Sequence, residues 1–353
     1  MPAEDAIAEE SRAERTRLPA PRDAAPPLRA VCIGGGTGLP AILGGLARLG
    51  RRASALPRIE LTAVVAVSDD GGSSGRLRRE QDVLPPGDVR NCLVALADRR
   101  HRALARLFQY RFGAGRGLEG HALGNLLLTA LSSLEGDFLQ AIRRAEKLLR
   151  CRGRVLPVTL EKVQLLGLLE DGSEIRGEHR FDRPRRATIS RVELLPRSPL
   201  PTPGVLEAIR AADVIVLGPG SLYSSVIPNL LVAGVAEALR EAAALRVLVQ
   251  NLMTEPGETD GLDAAAHLRA VQVHAGDVVD VLLADPLDGL HARKRQAYAA
   301  QGQHPVAFDR RAIASLGVLP IEADLAATTG RIRHDPEKVA AAILGLALQA
   351  SEA

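Results

Sequence analysis

The chain has 353 residues, of which 46% are hydrophobic and 25% charged, with a formal net charge of +3. That composition predicts a soluble globular protein with ample core. The small net charge removes any bulk electrostatic case for nucleic acid, and 2% aromatics with no Trp removes a base-stacking platform. No apolar run approaches the roughly 20 residues needed to span a bilayer.

Residues 1–27 are charged and proline-bearing, without an apolar h-region. They read as a disordered tail rather than a signal peptide. Residues 28–353 then read as one α/β domain. "LRAVCIGGGTGLPAILGGLARLG" is a strand, a glycine loop and a helix, and "IELTAVVAVSDD" is a second strand. Both strands are apolar without alternation, as expected of parallel strands covered on two faces. "PPGDVRNCLVALAD" begins a helix with Asp88 as a candidate N-cap. "EGHALGNLLLTALSSL" and "DFLQAIRRAEKLLR" are two more.

The middle differs. β-Branched runs flank Asp171-Gly172, a hairpin signal, and predict a small antiparallel β insertion at about 154–200. The α/β pattern resumes with "AADVIVLGPGSLYSSVIPNLL", "LRVLVQNLMTEPGET" and "VVDVLLAD", and closes in the amphipathic "HDPEKVAAAILGLALQA". The fold class expected is a Rossmann-like, doubly wound, mainly parallel sheet. Ligands of such sheets bind where loops leave the carboxyl ends of the strands. Cys32, Cys92 and Cys151 form no CxxC pair, which fits a reducing, cytoplasmic setting.

The unusual residues fall at those strand ends. Gly34–Gly38 can approach a phosphate at a helix N-terminus, or can simply make a tight turn. The spacing places Leu39 where a dinucleotide fingerprint needs its third glycine. Gly218, Gly220, Ser221 and Ser224 form a second such loop, and two loops together suggest a diphosphate. Asp69 and Asp70 cannot both point the same way from an extended chain. One can reach a ligand or Mg²⁺ while the other binds backbone N–H groups of Gly71–Gly75; a solvated Asx turn is the plainer alternative.

Ten arginines lie between residues 76 and 116 against four acids, most of them suited to a solvated helix face. Arg90, beside Asn91, is the one placed to reach a ligand. His121 and Asn125 are four apart, on one helix face. Asn251 ends another strand. Tyr298, one of three tyrosines, could stack on a base, and Arg333 lies near the end. No P-loop, GxSxG elbow, HExxH or zinc spacing is present, and no catalytic set can be assembled.

In this order, "GGGTG", "SDDGGSSGRLR", "PPGDVRN", "GHALGN", "GPGSLYSSVIPNLL" and "NLMTEPGET" closely resemble the YvcK, or gluconeogenesis factor, family, within a larger group that includes the transferase CofD. The resemblance covers about 30–345. It implies a Rossmann-like protein that binds a UDP-sugar, notably UDP-N-acetylglucosamine. It also implies a regulatory role in cell shape and cell-wall precursor synthesis on gluconeogenic carbon sources, with no established reaction. On that resemblance Gly35, Gly36, Thr37 and Gly38, with the Gly218–Ser225 loop, would meet the diphosphate. Asp69, Asp70, Asn91, His121, Asn125 and Asn251 would line the cleft, and Tyr298 and Arg333 would hold the sugar or uracil.

The alternative is a CofD-type, Mg²⁺-dependent phospholactyl transferase with Asp70 on the metal. The chain's "DDGGSSGRLR" departs from that pattern. A nicotinamide-linked dehydrogenase is disfavoured by the imperfect fingerprint. Partners in cell-wall precursor synthesis and a homodimer are compatible with the sequence.

Overall fold

The structure is a computed structural model that describes residues 26–52, 57–181, 183 and 187–352. All but the last two residues of the expected 1–27 tail lie outside the described residues.

Seven strands form one parallel sheet: β1 (Leu28–Gly34), β2 (Ile59–Val65), β3 (Arg154–Pro157), β7 (Val214–Leu217), β8 (Leu245–Val249), β9 (Val281–Ala284) and β10 (Leu319–Glu322). Their order is β10-β9-β8-β7-β1-β2-β3. The chain thus runs outward from β1 through β2 to β3, then returns to the other side of β1 and runs outward again. β1 pairs with β2 (Cys32 opposite Ala63) and with β7 (Cys32 opposite Val216). The β1–β7 junction is the topological switch point, where a crevice opens between diverging loops.

The continuous apolar runs follow from the layers. Val31 and Ile33 of β1 enter one core with Ile215 and Leu217, while Ala30 and Cys32 enter the other with Val214 and Val216. Side chains alternate faces along a strand, so a strand covered on both faces needs apolar residues at every position. One core is covered by α1 (Gly38–Arg52), α3 (Gly87–Leu96), α6 (Phe138–Leu149) and α13 (Pro336–Glu352). In α1 the residues Leu39, Ile42, Leu43 and Leu46 are fully buried. Their i, i+3, i+4, i+7 spacing makes one stripe, and each buried side chain contributes about 1.5–3 kcal/mol. The other core is covered by α7 (Val205–Arg210), α8 (Ile227–Leu230), α9 (Val235–Glu241) and α10 (Ala264–Ala275). Among the described residues no single helix is long and apolar enough to cross a membrane.

Between α1 and α6 lie α2 (Gly72–Gln81), α4 (Arg102–Gln109) and α5 (Leu123–Glu135). The antiparallel insertion is present as β4 (Gln164–Leu169), β5 (Glu174–Arg176) and β6 (Ile189–Leu195), in the order β5-β4-β6. Its expected start is corrected. Residues 154–157 are β3, hydrogen-bonded to β2 at the edge of the main sheet. The short strand β10 carried no sequence expectation, and α11 (Ala292–Ala299) and α12 (Arg310–Ala314) complete the fold.

Candidate functional site

Two glycine loops meet at the switch point. After β1, Gly36 takes φ +63°, a left-handed conformation that glycine adopts without strain. Gly38 opens α1 against the second loop so closely that a β-carbon there would overlap the Pro219 carbonyl oxygen. Buried Asn229 of α8 ties both loops together, donating from Nδ2 to Ser225 O at 2.7 Å and to Gly34 O at 3.3 Å. Asn251 fixes Gly220 from both sides: Gly220 N donates to Oδ1 at 3.2 Å, and Nδ2 donates to Gly220 O at 2.9 Å.

The serines of the second loop behave differently from the expectation that they face a ligand. Tyr223 N and Ser224 N donate to Glu258 Oε1 at 2.7 and 3.1 Å, and the Ser224 hydroxyl donates to Oε2 at 3.1 Å. Ser224 is therefore occupied by a buried carboxyl, and burial pushes the pKa of Glu258 up to about 8. Ser221 does not cap the following turn; its hydroxyl bonds Glu255 instead.

In front of both loops lies a cleft of about 870 Å³. Thr37, Gly38, Gly220 and Asn251 line it together with Tyr298 and Arg333. The C-terminal segment is held there by specific bonds. Ile332 N donates to Tyr298 Oη at 2.8 Å, and Asp285 Oδ2 accepts from Leu325 N and Ala326 N. His334 Nε2 bonds Gln250 O at 3.1 Å, and burial pushes this histidine down to about 4, so it is neutral.

Behind the first loop is a group of acids. Asp88 lies in the first turn of α3, after Pro86 in the cap position, and contrary to the sequence expectation its side chain does not cap that helix; Oδ2 accepts from Gly36 N at 2.6 Å. Burial pushes its carboxyl up to about 6, with the charge of Asp69 adding to the effect. Asp69 is the member of the pair that turns back, accepting from Gly71 N at 2.9 Å. Asp70 instead reaches the insertion, where His179 N and Nδ1 meet its Oδ1 at 2.9 and 2.8 Å. Glu178, just before that histidine, is bonded to Asp69, and burial and the nearby Asp69 and Asp88 push it up to about 10. It is a neutral acid in this setting.

The remaining expected site residues form a separate buried network. Arg90 Nη1 donates to Asn125 Oδ1 at 2.9 Å and Nη2 to Asn91 Oδ1 at 2.7 Å. Asn125 Nδ2 and Ala122 N donate to Ser73 Oγ, whose own proton then goes to His121 Nδ1 at 3.0 Å. That assigns the Nε2–H tautomer to His121, whose pKa is lowered by burial. His121 precedes α5 and so does not share a face of that helix with Asn125. Arg90, His121 and Asn125 are almost wholly buried and do not line the cleft.

This switch-point architecture, with its paired glycine loops, matches a known family profile. The profile for 2-phospho-L-lactate transferase CofD fits residues 30–326. The chain belongs to the CofD family. Within that family it stands with the gluconeogenesis factors, the YvcK or UPF0052 group. It is 45% identical over 318 residues to the gluconeogenesis factor of Halalkalibacterium halodurans, covering 89% of this chain and 95% of that one. It is 41% identical over 316 residues to that of Bacillus subtilis, covering 89% and 96%. A crystal structure of a UPF0052-family protein from Bacillus halodurans superposes with a TM-score of 0.84 at 43% identity, covering 91% of this chain and all of that one.

For this CofD-family chain the sequence missed three residues that organise the site. Glu258 stood inside the quoted "TEPGET" and Asn229 inside "IPNLL", but neither spacing signals its distant partner. Glu178 lay in the insertion, which carried no motif. Among the described residues no group of three His, Cys, Asp or Glu side chains is arranged to hold a metal ion.

Proposed function

We propose that this chain is a UDP-sugar-binding regulatory protein, with UDP-N-acetylglucosamine as the ligand. It acts in the control of cell-wall precursor synthesis and cell shape during growth on gluconeogenic carbon sources, through enzymes of that synthesis as partners. The observation that carries the reading is the shared cleft. Thr37, Gly38 and Gly220 supply small or hydroxyl groups at a helix N-terminus, suited to a diphosphate, opposite Tyr298 and Arg333. A phenol ring suits a base or sugar face, and about 870 Å³ suits a ligand of that size. The relatives' name, gluconeogenesis factor, supports the cellular role.

A second reading, transfer of a phospholactyl group with Mg²⁺, is favoured by the family profile. What weighs against it is the engagement of the carboxylates nearby. Both donors of His179 occupy Asp70 Oδ1, and Asp88 is committed to Gly36 N. Calorimetry with UDP-N-acetylglucosamine, GDP and NADH, each with and without Mg²⁺, separates the readings. Selective, metal-independent binding of the UDP-sugar without turnover is the result expected. Preference for GDP, or a strict Mg²⁺ requirement, would move the assignment to the transferase, and hydride transfer from NADH would overturn both.

A further inference from the structure

At the end of α1 and α3 remote from the glycine loops, arginines from three elements converge. Arg48 and Arg51 come from α1, Arg102 and Arg106 from α4, and Arg99 from the turn between α3 and α4. They line a groove of about 470 Å³. The near edge of the groove at Gly44 is about one turn of α1 from Ala41 of the cleft, whereas Arg51 stands roughly 20 Å along the helix axis from Gly38.

The local acids do not balance this charge. Arg48 pairs with Glu337 at 3.2 Å. Asp98, the acid in the groove wall, is held by Arg100 at 3.2 Å and Arg152 at 3.1 Å. Among the described residues Arg51, Arg99, Arg102 and Arg106 make no ion pair. Burial, reinforced by the charges of Arg152, Arg99 and Arg48, lowers the pKa of Arg51, the sign of guanidinium groups crowded against one another.

Helix ends explain only part of this arrangement. Arg48 and Arg51 near the C-terminus of α1 complement its dipole. Arg102 opens α4, whose first turn has no acid, so the dipole opposes it. A merely solvated face would spread such charges apart instead of turning them into one concavity.

We propose that this groove is a second anion site, taking a small ligand with a di- or triphosphate group. Planar guanidinium forks pair bidentately with phosphate oxygens, and several converging forks match a group bearing several negative charges. The groove volume falls in the range of small-molecule sites. This site is independent of the cleft and of the ligand proposed there.

The test is calorimetry of the full chain with inorganic tripolyphosphate at about physiological salt. The double variant Arg51→Gln/Arg102→Gln should weaken binding by roughly tenfold or more. The control Arg143→Gln/Arg311→Gln removes the same charge from exposed positions elsewhere and should change it by less than about twofold. Circular dichroism of each variant confirms the fold, and the single variant Arg102→Glu repeats the test at an exposed position. Absence of tripolyphosphate binding would overturn the site. So would equal weakening in the groove and control variants, which would mark a diffuse charge effect. Complete displacement by UDP-N-acetylglucosamine would also overturn it, since that places the anion at the glycine loops.

Discussion

Asp88 Oδ2 accepts a hydrogen bond from Gly36 N at 2.6 Å, across 52 residues of chain. A glycine-loop amide that would otherwise be offered to a phosphate is thus engaged by a carboxyl whose pKa is pushed up to about 6. Below that pH the group is neutral; above it a negative charge sits under the loop. A diphosphate in the proposed cleft should therefore bind less tightly as pH rises through about 6. Asp88→Asn keeps an acceptor for Gly36 and removes the charge. Relief of about 1–2 kcal/mol of repulsion should tighten UDP-N-acetylglucosamine binding roughly tenfold at neutral pH and flatten its pH dependence. Weaker binding by the variant, with the slope retained, would show that the Asp88 charge does not oppose the ligand.

Gly38 and the Pro219 carbonyl are packed without room for a methyl group. Gly38→Ala should force the two glycine loops apart and cost about 2–4 kcal/mol, by backbone displacement at the start of α1. Denaturant unfolding reads the loss directly. A variant as stable as the parent would mean that the loops separate freely.

Tyr298 joins the stability of the C-terminal segment to the cleft. Tyr298→Phe retains the ring but deprives Ile332 N of its acceptor, a loss of about 1 kcal/mol. Global stability should change little, because the segment lies at the rim. Hydrogen exchange of the Ile332 amide should accelerate several-fold, and UDP-sugar affinity should fall with it. Unchanged exchange at Ile332 is the result that would refute this link.

Glu258 predicts a pH dependence of folding. Its carboxyl titrates near 4.5 when unfolded and at about 8 in the fold, because it is buried. The native state therefore holds the extra proton between those values, and stability should fall as pH rises from about 4.5 to about 8. Asp88 adds to the decline in the lower part of the window, since its pKa rises from 3.8 to about 6. Glu178, pushed up to about 10, adds an equal decline across the same window. Glu258→Gln, which keeps an acceptor for the Tyr223 and Ser224 amides, should therefore remove about half of the slope between about pH 6 and about pH 8. Urea midpoints at about pH 6 and about pH 8 measure the difference, and an unaltered slope would assign the dependence to another group.

His179 makes two bonds to Asp70 and so fastens the insertion to the loop after β2. Asp70→Ala should loosen the turn at residues 177–180 while leaving the seven-stranded sheet intact. Hydrogen exchange should increase at the His179 amide and not in β1 or β7. Protection retained at His179 would place the anchor elsewhere, for example on the Glu178–Asp69 bond.

The sequence by itself determined the parallel sheet, because strands covered on both faces must be apolar at every position, as "AVCI" and "VIVL" are. It also determined where the glycine loops lie, since chain reversal after a strand is a local property of small residues. The antiparallel insertion was legible from Asp171-Gly172, although its boundary was not. The edge strand β3 is four residues long, and its sequence does not say which sheet it joins. Only the tertiary structure decided what each polar group does. Asn125 and His121 turned inward to Ser73, Ser224 found Glu258, and Asp88 crossed to Gly36. Tyr298 and Arg333 reached the cleft because β8 and β9 carry the C-terminal segment past the glycine loops. The physical reason is range. Backbone period and turn chemistry act over a few residues, whereas a buried polar group takes whichever partner the packed strands bring within about 3 Å.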